Sequence, residues 1–92
     1  MVRAIVLYEQ EPAAARYEQH VELCRNVPGG TFRHGKVFGA PFGDRKFQYY
    51  AEMEFVDMDA FKAATRTPEF QATGTDSKEM GYRSQVHFVE VG

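Results

Sequence analysis

Lys46-Phe47-Gln48-Tyr49-Tyr50-Ala51-Glu52-Met53-Glu54-Phe55 alternates without a break. Phe47, Tyr49, Ala51, Met53 and Phe55 fall on one face, and Gln48, Tyr50, Glu52 and Glu54 on the other. That period of two predicts a strand with one face on a core and the other uncovered. Upstream, Phe32 to Gly39 alternates in the same way, with Phe32, His34, Lys36 and Phe38 pointing one way and Arg33, Gly35, Val37 and Gly39 the other. The stretch Gly39-Ala40-Pro41-Phe42-Gly43-Asp44 between them has the residues of a hairpin connection. Val2 to Tyr8 is apolar on both faces, which suits a central strand covered on both sides. Tyr82 to Val91 alternates again and supplies a fourth strand.

Helices separate these strands. Ala13, Tyr17, His20, Val21 and Cys24 recur at spacings of three and four, while Arg16, Glu18, Glu22 and Arg25 occupy the other side. Pro12 suits the first helical position, and Asn26 followed by Pro28-Gly29-Gly30 ends the helix. A second helix starts after Asp57, a good N-cap, and carries Met58, Phe61 and Ala64 on one face. Thr67-Pro68 interrupts it, Thr67 caps a further turn, and the polar stretch Thr73 to Ser77 leaves the later course open. The order βαββαβ predicts one α+β domain over residues 1–92: a ferredoxin-like four-stranded antiparallel sheet with its helices on one face.

The composition narrows what such a domain does. The 92 residues are 43% hydrophobic, with 11 basic and 13 acidic side chains and a net charge of −2, so the excess of cations that holds phosphate backbones is missing. Glu52 and Glu54 on the third strand would repel an RNA backbone, and the glycine of the base-stacking motif is absent there; no nucleic-acid partner is expected. Cys24 is the single cysteine, so neither an internal disulfide nor a paired-thiol metal site is available, and a reducing, cytoplasmic setting is expected. No apolar run approaches the ~20 residues that cross a bilayer, and Met1 to Tyr8 is too short for a secretory leader. A domain of this size buries only about 60–65% of its unfolded surface. Two helices cover one sheet face, so the other face calls for solvent or a partner, and a second copy packed face to face would enclose a barrel.

At this point several segments carry a resemblance. Val2 to Tyr8, His20 through Val27-Pro28-Gly29, Gly35-Lys36-Val37-Phe38-Gly39, Tyr49 to Phe55 with Asp57-Met58-Asp59-Ala60, and Pro68-Glu69 resemble an EthD-type protein of the dimeric α/β-barrel superfamily. The resemblance implies a homodimer through the sheet faces. It also implies a cofactor-independent enzyme of isomerase, cyclase or monooxygenase type, acting on a small hydrophobic or aromatic metabolite. The alternative is a non-catalytic metabolite-binding or accessory module. The lack of Trp weighs against the haem-degrading and quinol-forming relatives, and no phosphate loop, metal-ligand cluster or nucleophile elbow appears, so no cofactor or metal is expected.

By resemblance, His20 matches the histidine that related lactone isomerases use in acid/base work, a role suited to a side chain titrating near neutrality. The plainer reading is a helix-face histidine bonded to a neighbour. Two other isomerase residues do not carry over: Phe32 stands where those chains have a tyrosine, and Ala40 to Arg45 contains no histidine. Tyr17, one turn before His20, either orients a substrate oxygen or packs its ring. Tyr50, Glu52, His34 and His87 lie on strands that line a pocket or a dimer contact, depending on which face each one takes. Arg33 and Lys36 beside His34 suit a carboxylate or phenolate, or simply stay solvated. Cys24 reads as a small buried hydrophobe.

Overall fold

A computed structural model describes residues 1–92. The elements are β1 (Val2–Tyr8), α1 (Ala14–Arg25), β2 (Thr31–Lys36), β3 (Tyr49–Phe55), α2 (Met58–Thr65), α3 (Pro68–Met80) and β4 (Ser84–Glu90). The strands form one antiparallel sheet in the order β2-β3-β1-β4. This is the ferredoxin-like α+β arrangement expected from the sequence, with the second helix divided in two. The division falls at Thr67-Pro68, where Thr67 accepts a hydrogen bond from the Phe70 amide and Pro68 opens α3. Asp57 caps α2 by accepting from the Ala60 amide at 2.8 Å.

β3 starts at Tyr49 instead of Lys46, which leaves Phe47 in the preceding loop, and β4 is trimmed from Tyr82–Val91 to Ser84–Glu90. Three further boundaries differ from the sequence reading, each for a local reason. Ala13 rather than a residue before Pro12 caps α1; Pro12 is buried ahead of the helix, and the Ala13 amide donates to the Tyr82 hydroxyl at 3.0 Å instead of to a local side chain. β2 stops at Lys36, three residues early. Beyond it the chain makes one further ladder bond, from Val37 N–H to Gln48, and the Val37 carbonyl is taken by the Arg45 guanidinium at 2.7 Å. Residues 37–48 form an open loop in place of a tight hairpin, with Phe38 and Phe42 at 97% and 90% exposure. The polar stretch Thr73 to Ser77 is helical to Met80 because tertiary partners hold it, Asp76 above all, and Gly81 at φ +71° ends it.

Register assigns every strand residue to a face. Val2, Tyr8, Ala51, Met53 and Phe55 lie under the helices with Tyr17, Val21, Cys24, Val27 and Ala64 and form the core. The opposite, open face carries Arg3, Ile5 and Leu7 of β1, Tyr50, Glu52 and Glu54 of β3, Arg33 of β2, and His87 and Val89 of β4. β1 was expected to be covered on both sides, and in one chain only its Val2/Tyr8 side is. The core is thin: 13 of 92 residues are buried, and all seven residues of β4 are exposed.

Candidate functional site

On the covered side, α1 and α3 meet through charge. His20 is 4% exposed, and its Nδ1 lies 2.8 Å from Asp76 Oδ2. The same carboxylate accepts two bonds from the Arg16 guanidinium, at 2.6 and 3.2 Å. Arg16 and His20 are four apart on α1 and so stack on one side, although Arg16 reads by periodicity as part of the solvent face. Beside Arg16, which outweighs the effect of partial burial, and beside His20, the Asp76 carboxyl is held below its ordinary range. His20 Nε2 makes no hydrogen bond, yet the chain contains no sealed, unpartnered side-chain polar atom, so that nitrogen retains an opening. A carboxylate holding one imidazole nitrogen while the other stays free is the arrangement that orients a general base.

A depressed carboxylate makes a signed prediction. Its contribution to stability is fully present above the usual carboxylate range, near pH 4, and is lost as pH falls through the lower folded value. Asp76→Asn is expected to cost about 1–2 kcal/mol at neutral pH, the scale of charge-assisted bonds partly open to water. In urea titrations the gap between wild type and variant closes below about pH 4; a gap unchanged at pH 3 refutes the ion pair as its cause.

One turn before His20, Tyr17 is buried, and its hydroxyl donates to the Tyr8 hydroxyl at 3.1 Å. Burial, with the Tyr8 hydrogen bond second, raises its pKa well above that of a free phenol. Its ring stands 5.5 Å from the His20 ring, 5.6 Å from His34 and 5.4 Å from Tyr49. Tyr17, His34 and Tyr49 line a cavity of about 730 Å³ that runs along α1, from the segment before it to Arg25 in its last turn, beside strands β2 and β3. Pro12, Ala13, Ala14 and Val21 supply apolar wall, and Lys36 is paired with Glu11 at 3.1 Å. His34 Nδ1 lies 2.6 Å from the Tyr49 hydroxyl. Partial desolvation, with Arg25 second, lowers the His34 pKa and keeps the ring neutral near pH 7. His20 is not on the cavity wall; one ring, Tyr17, stands between.

The other predicted residues lie on the open face. Glu52 accepts from the Tyr50 hydroxyl and from Arg33 at 3.0 Å, and Arg3 bonds Glu54 at 3.1 Å. This network of two arginines and two glutamates is electrically balanced, and it leaves Glu52 only 9% exposed in a single chain. Burial and the Glu52 carboxylate push the Tyr50 phenol up to about 12. His87 faces the same side, but Ile5 of β1 lies between it and Glu52, and its only side-chain neighbour by hydrogen bonding is Gln85 at 3.5 Å. The structure therefore gathers Tyr17, His20 and His34 on the helix side, joins Tyr50 to Glu52 on the open side, and leaves His87 apart. Asp76, Tyr49 and Arg25 were missed. Tyr49 was legible only as a core residue, and Asp76 would have been found by carrying the α3 helix on from Pro68 through Thr73 to Ser77. No three His, Cys, Asp or Glu side chains converge as metal ligands, and Cys24, its thiol pushed up to about 12 by burial, is no nucleophile.

A one-sided antiparallel sheet with an aromatic cavity beneath its first helix defines this chain as a ferredoxin-like α+β domain. The EthD domain model matches residues 9–81, and the chain belongs to the EthD family. It is similar to the crystal structure of an ethyl tert-butyl ether D (EthD) family protein from Bacillus halodurans C-125, at 29% identity and TM-score 0.83 over 100% of this chain and 99% of that one. It also resembles a dimeric ferredoxin-like protein of unknown function from Jannaschia sp. CCS1, at 22% identity and TM-score 0.73 over 98% of each chain. A third similar structure is SnoaB, a cofactor-independent oxygenase from Streptomyces nogalater, at 19% identity and TM-score 0.62 over 98% of this chain and 91% of that one. Comparison with curated protein sequences returned no match. No helix is long and apolar enough to cross a membrane.

Proposed function

We propose that the chain is a cofactor-independent small-molecule enzyme of isomerase, cyclase or monooxygenase type. It acts as a homodimer on a small hydrophobic or aromatic metabolite, with His20 as general acid/base. The observation that carries this reading is the Arg16–Asp76–His20 chain, which holds one imidazole nitrogen and leaves the other unbonded. Asp76 orients the ring, as a carboxylate does for a catalytic histidine. Tyr17 and His34 bound the adjoining cavity, whose size suits a ligand of one or two rings. Tyr50, Glu52 and His87 face the side on which a second copy would close a barrel. The similarity to a structure described as dimeric supports that assembly, and the similarity to a cofactor-independent oxygenase supports the reaction class.

The non-catalytic reading keeps one specific observation in its favour: Tyr17, pinned by Tyr8, stands between His20 and the cavity. Native mass spectrometry of the purified protein identifies a co-purified ligand, and incubation with that compound separates the readings. Turnover that His20→Gln slows by about 10²-fold or more, in a variant that remains folded, supports acid/base catalysis. Tight retention without turnover establishes a binding module, and unchanged turnover in His20→Gln removes His20 from the chemistry.

A further inference from the structure

Three cationic or imidazole groups converge on the helix-side cavity, and their pairing is unequal. Lys36 is neutralised by Glu11. Arg25, from the last turn of α1, makes no ion pair or side-chain hydrogen bond within the chain, although it is near enough for its charge to bear on His34. His34 takes its orientation from Tyr49, whose hydroxyl remains protonated because burial and nearby Glu11 raise its pKa. The phenol O–H is free to donate to Nδ1, and in that tautomer the ring proton sits on Nε2, which has no partner within the chain. In that tautomer the cavity presents two unused donors, one of them a permanent cation, beside apolar and aromatic wall from Tyr17, Val21 and Pro12. Glu18 is the one acid on the wall without a cation. It stands seven residues before Arg25 on α1, about 10 Å along the helix, so the cavity is polarised with its positive end at Arg25.

Donors without acceptors at one end of an apolar cleft select an acceptor-only group, and a guanidinium beside an N–H matches a planar carboxylate. We propose that this cavity takes a small aromatic carboxylate, seated with its anionic oxygens on Arg25 and His34 Nε2–H and its ring against Tyr17. This deepens the reading of the cavity as the metabolite site and rests on it.

Calorimetric titration of the full chain with 2-naphthoate, 2-naphthamide and 2-naphthylmethylammonium tests it, since the three share a body and differ in charge. The naphthoate is expected to bind at least about tenfold tighter than the amide, the scale of one charge-assisted pair. Arg25→Gln, an exposed position whose change spares the fold, is expected to bring naphthoate down to the amide's affinity while leaving the amide unchanged. Equal binding of acid and amide, or preference for the ammonium, overturns the carboxylate assignment and leaves the metabolite cavity standing. Naphthoate preference that survives in Arg25→Gln overturns the seat. Absence of binding by all three overturns both the assignment and the reading of this cavity as the metabolite site.

Discussion

Phe55→Ala is expected to remove about 3–5 kcal/mol of stability, the range for truncating a fully buried aromatic side chain. Phe55 is 0% exposed, is enclosed by Val2, Cys24, Val27, Met53 and Ala64, and meets the Phe61 ring edge-on at 5.5 Å. The site has little room to collapse, because β3 supplies three of the ten apolar residues in the core and Gly30 already lies so close that an added methyl would meet the Phe55 ring at 3.2 Å. A domain of this length has a total stability of roughly 5–14 kcal/mol, so the loss is about a fifth of it or more. Urea denaturation followed by circular dichroism measures the change, with Phe88→Ala as the control. Phe88 also faces the helix side and touches Phe61, but it is 61% exposed, and its truncation is expected to cost below about 1 kcal/mol. Equal losses at the two positions would contradict the thin, β3-centred core.

Ile5→Asp is expected to turn the proposed dimer into a monomer at micromolar concentration. Ile5 sits at the middle of the open face, directly between Glu52 and His87, with Leu7 further along the same strand. Arg3, Arg33, Glu52 and Glu54 neutralise one another within the chain, so this face can be desolvated without stranding a charge. A carboxylate at position 5 is unpaired, and burying it costs several kcal/mol, which weakens association by about 10³-fold. Sedimentation velocity reads the assembly, and circular dichroism confirms that the variant remains folded. A wild-type chain that sediments as a stable monomer, or an Ile5→Asp chain that dimerises as before, would refute the sheet-to-sheet contact.

Much of this molecule was legible because short-range rules governed it. The alternation from Tyr49 to Phe55 placed Ala51, Met53 and Phe55 on the core face and Tyr50 and Glu52 on the other, as observed. Asp57, Thr67 and Pro68 marked the helix starts through bonds that span three residues. The segments failed where the deciding partner was distant. Arg45 takes the carbonyl that would have continued β2, Tyr82 replaces a local cap for α1, and Asp76 is held in α3 by two residues of α1.

The candidate site divides in the same way. Sequence by itself determined the α+β order of elements, because helical and strand periods follow from backbone geometry alone, and the family resemblance read onto those faces singled out Tyr17, His20, His34, Tyr50, Glu52 and His87. It left open which of them meet. Only the tertiary structure decided that His34 joins Tyr17 under the helices, that Glu52 and Tyr50 face the other way beside Arg33, and that His20 answers to Asp76, 56 positions further along the chain. Hydrogen bonds and ion pairs of that kind depend on where packed elements bring side chains together, and no local period encodes that distance.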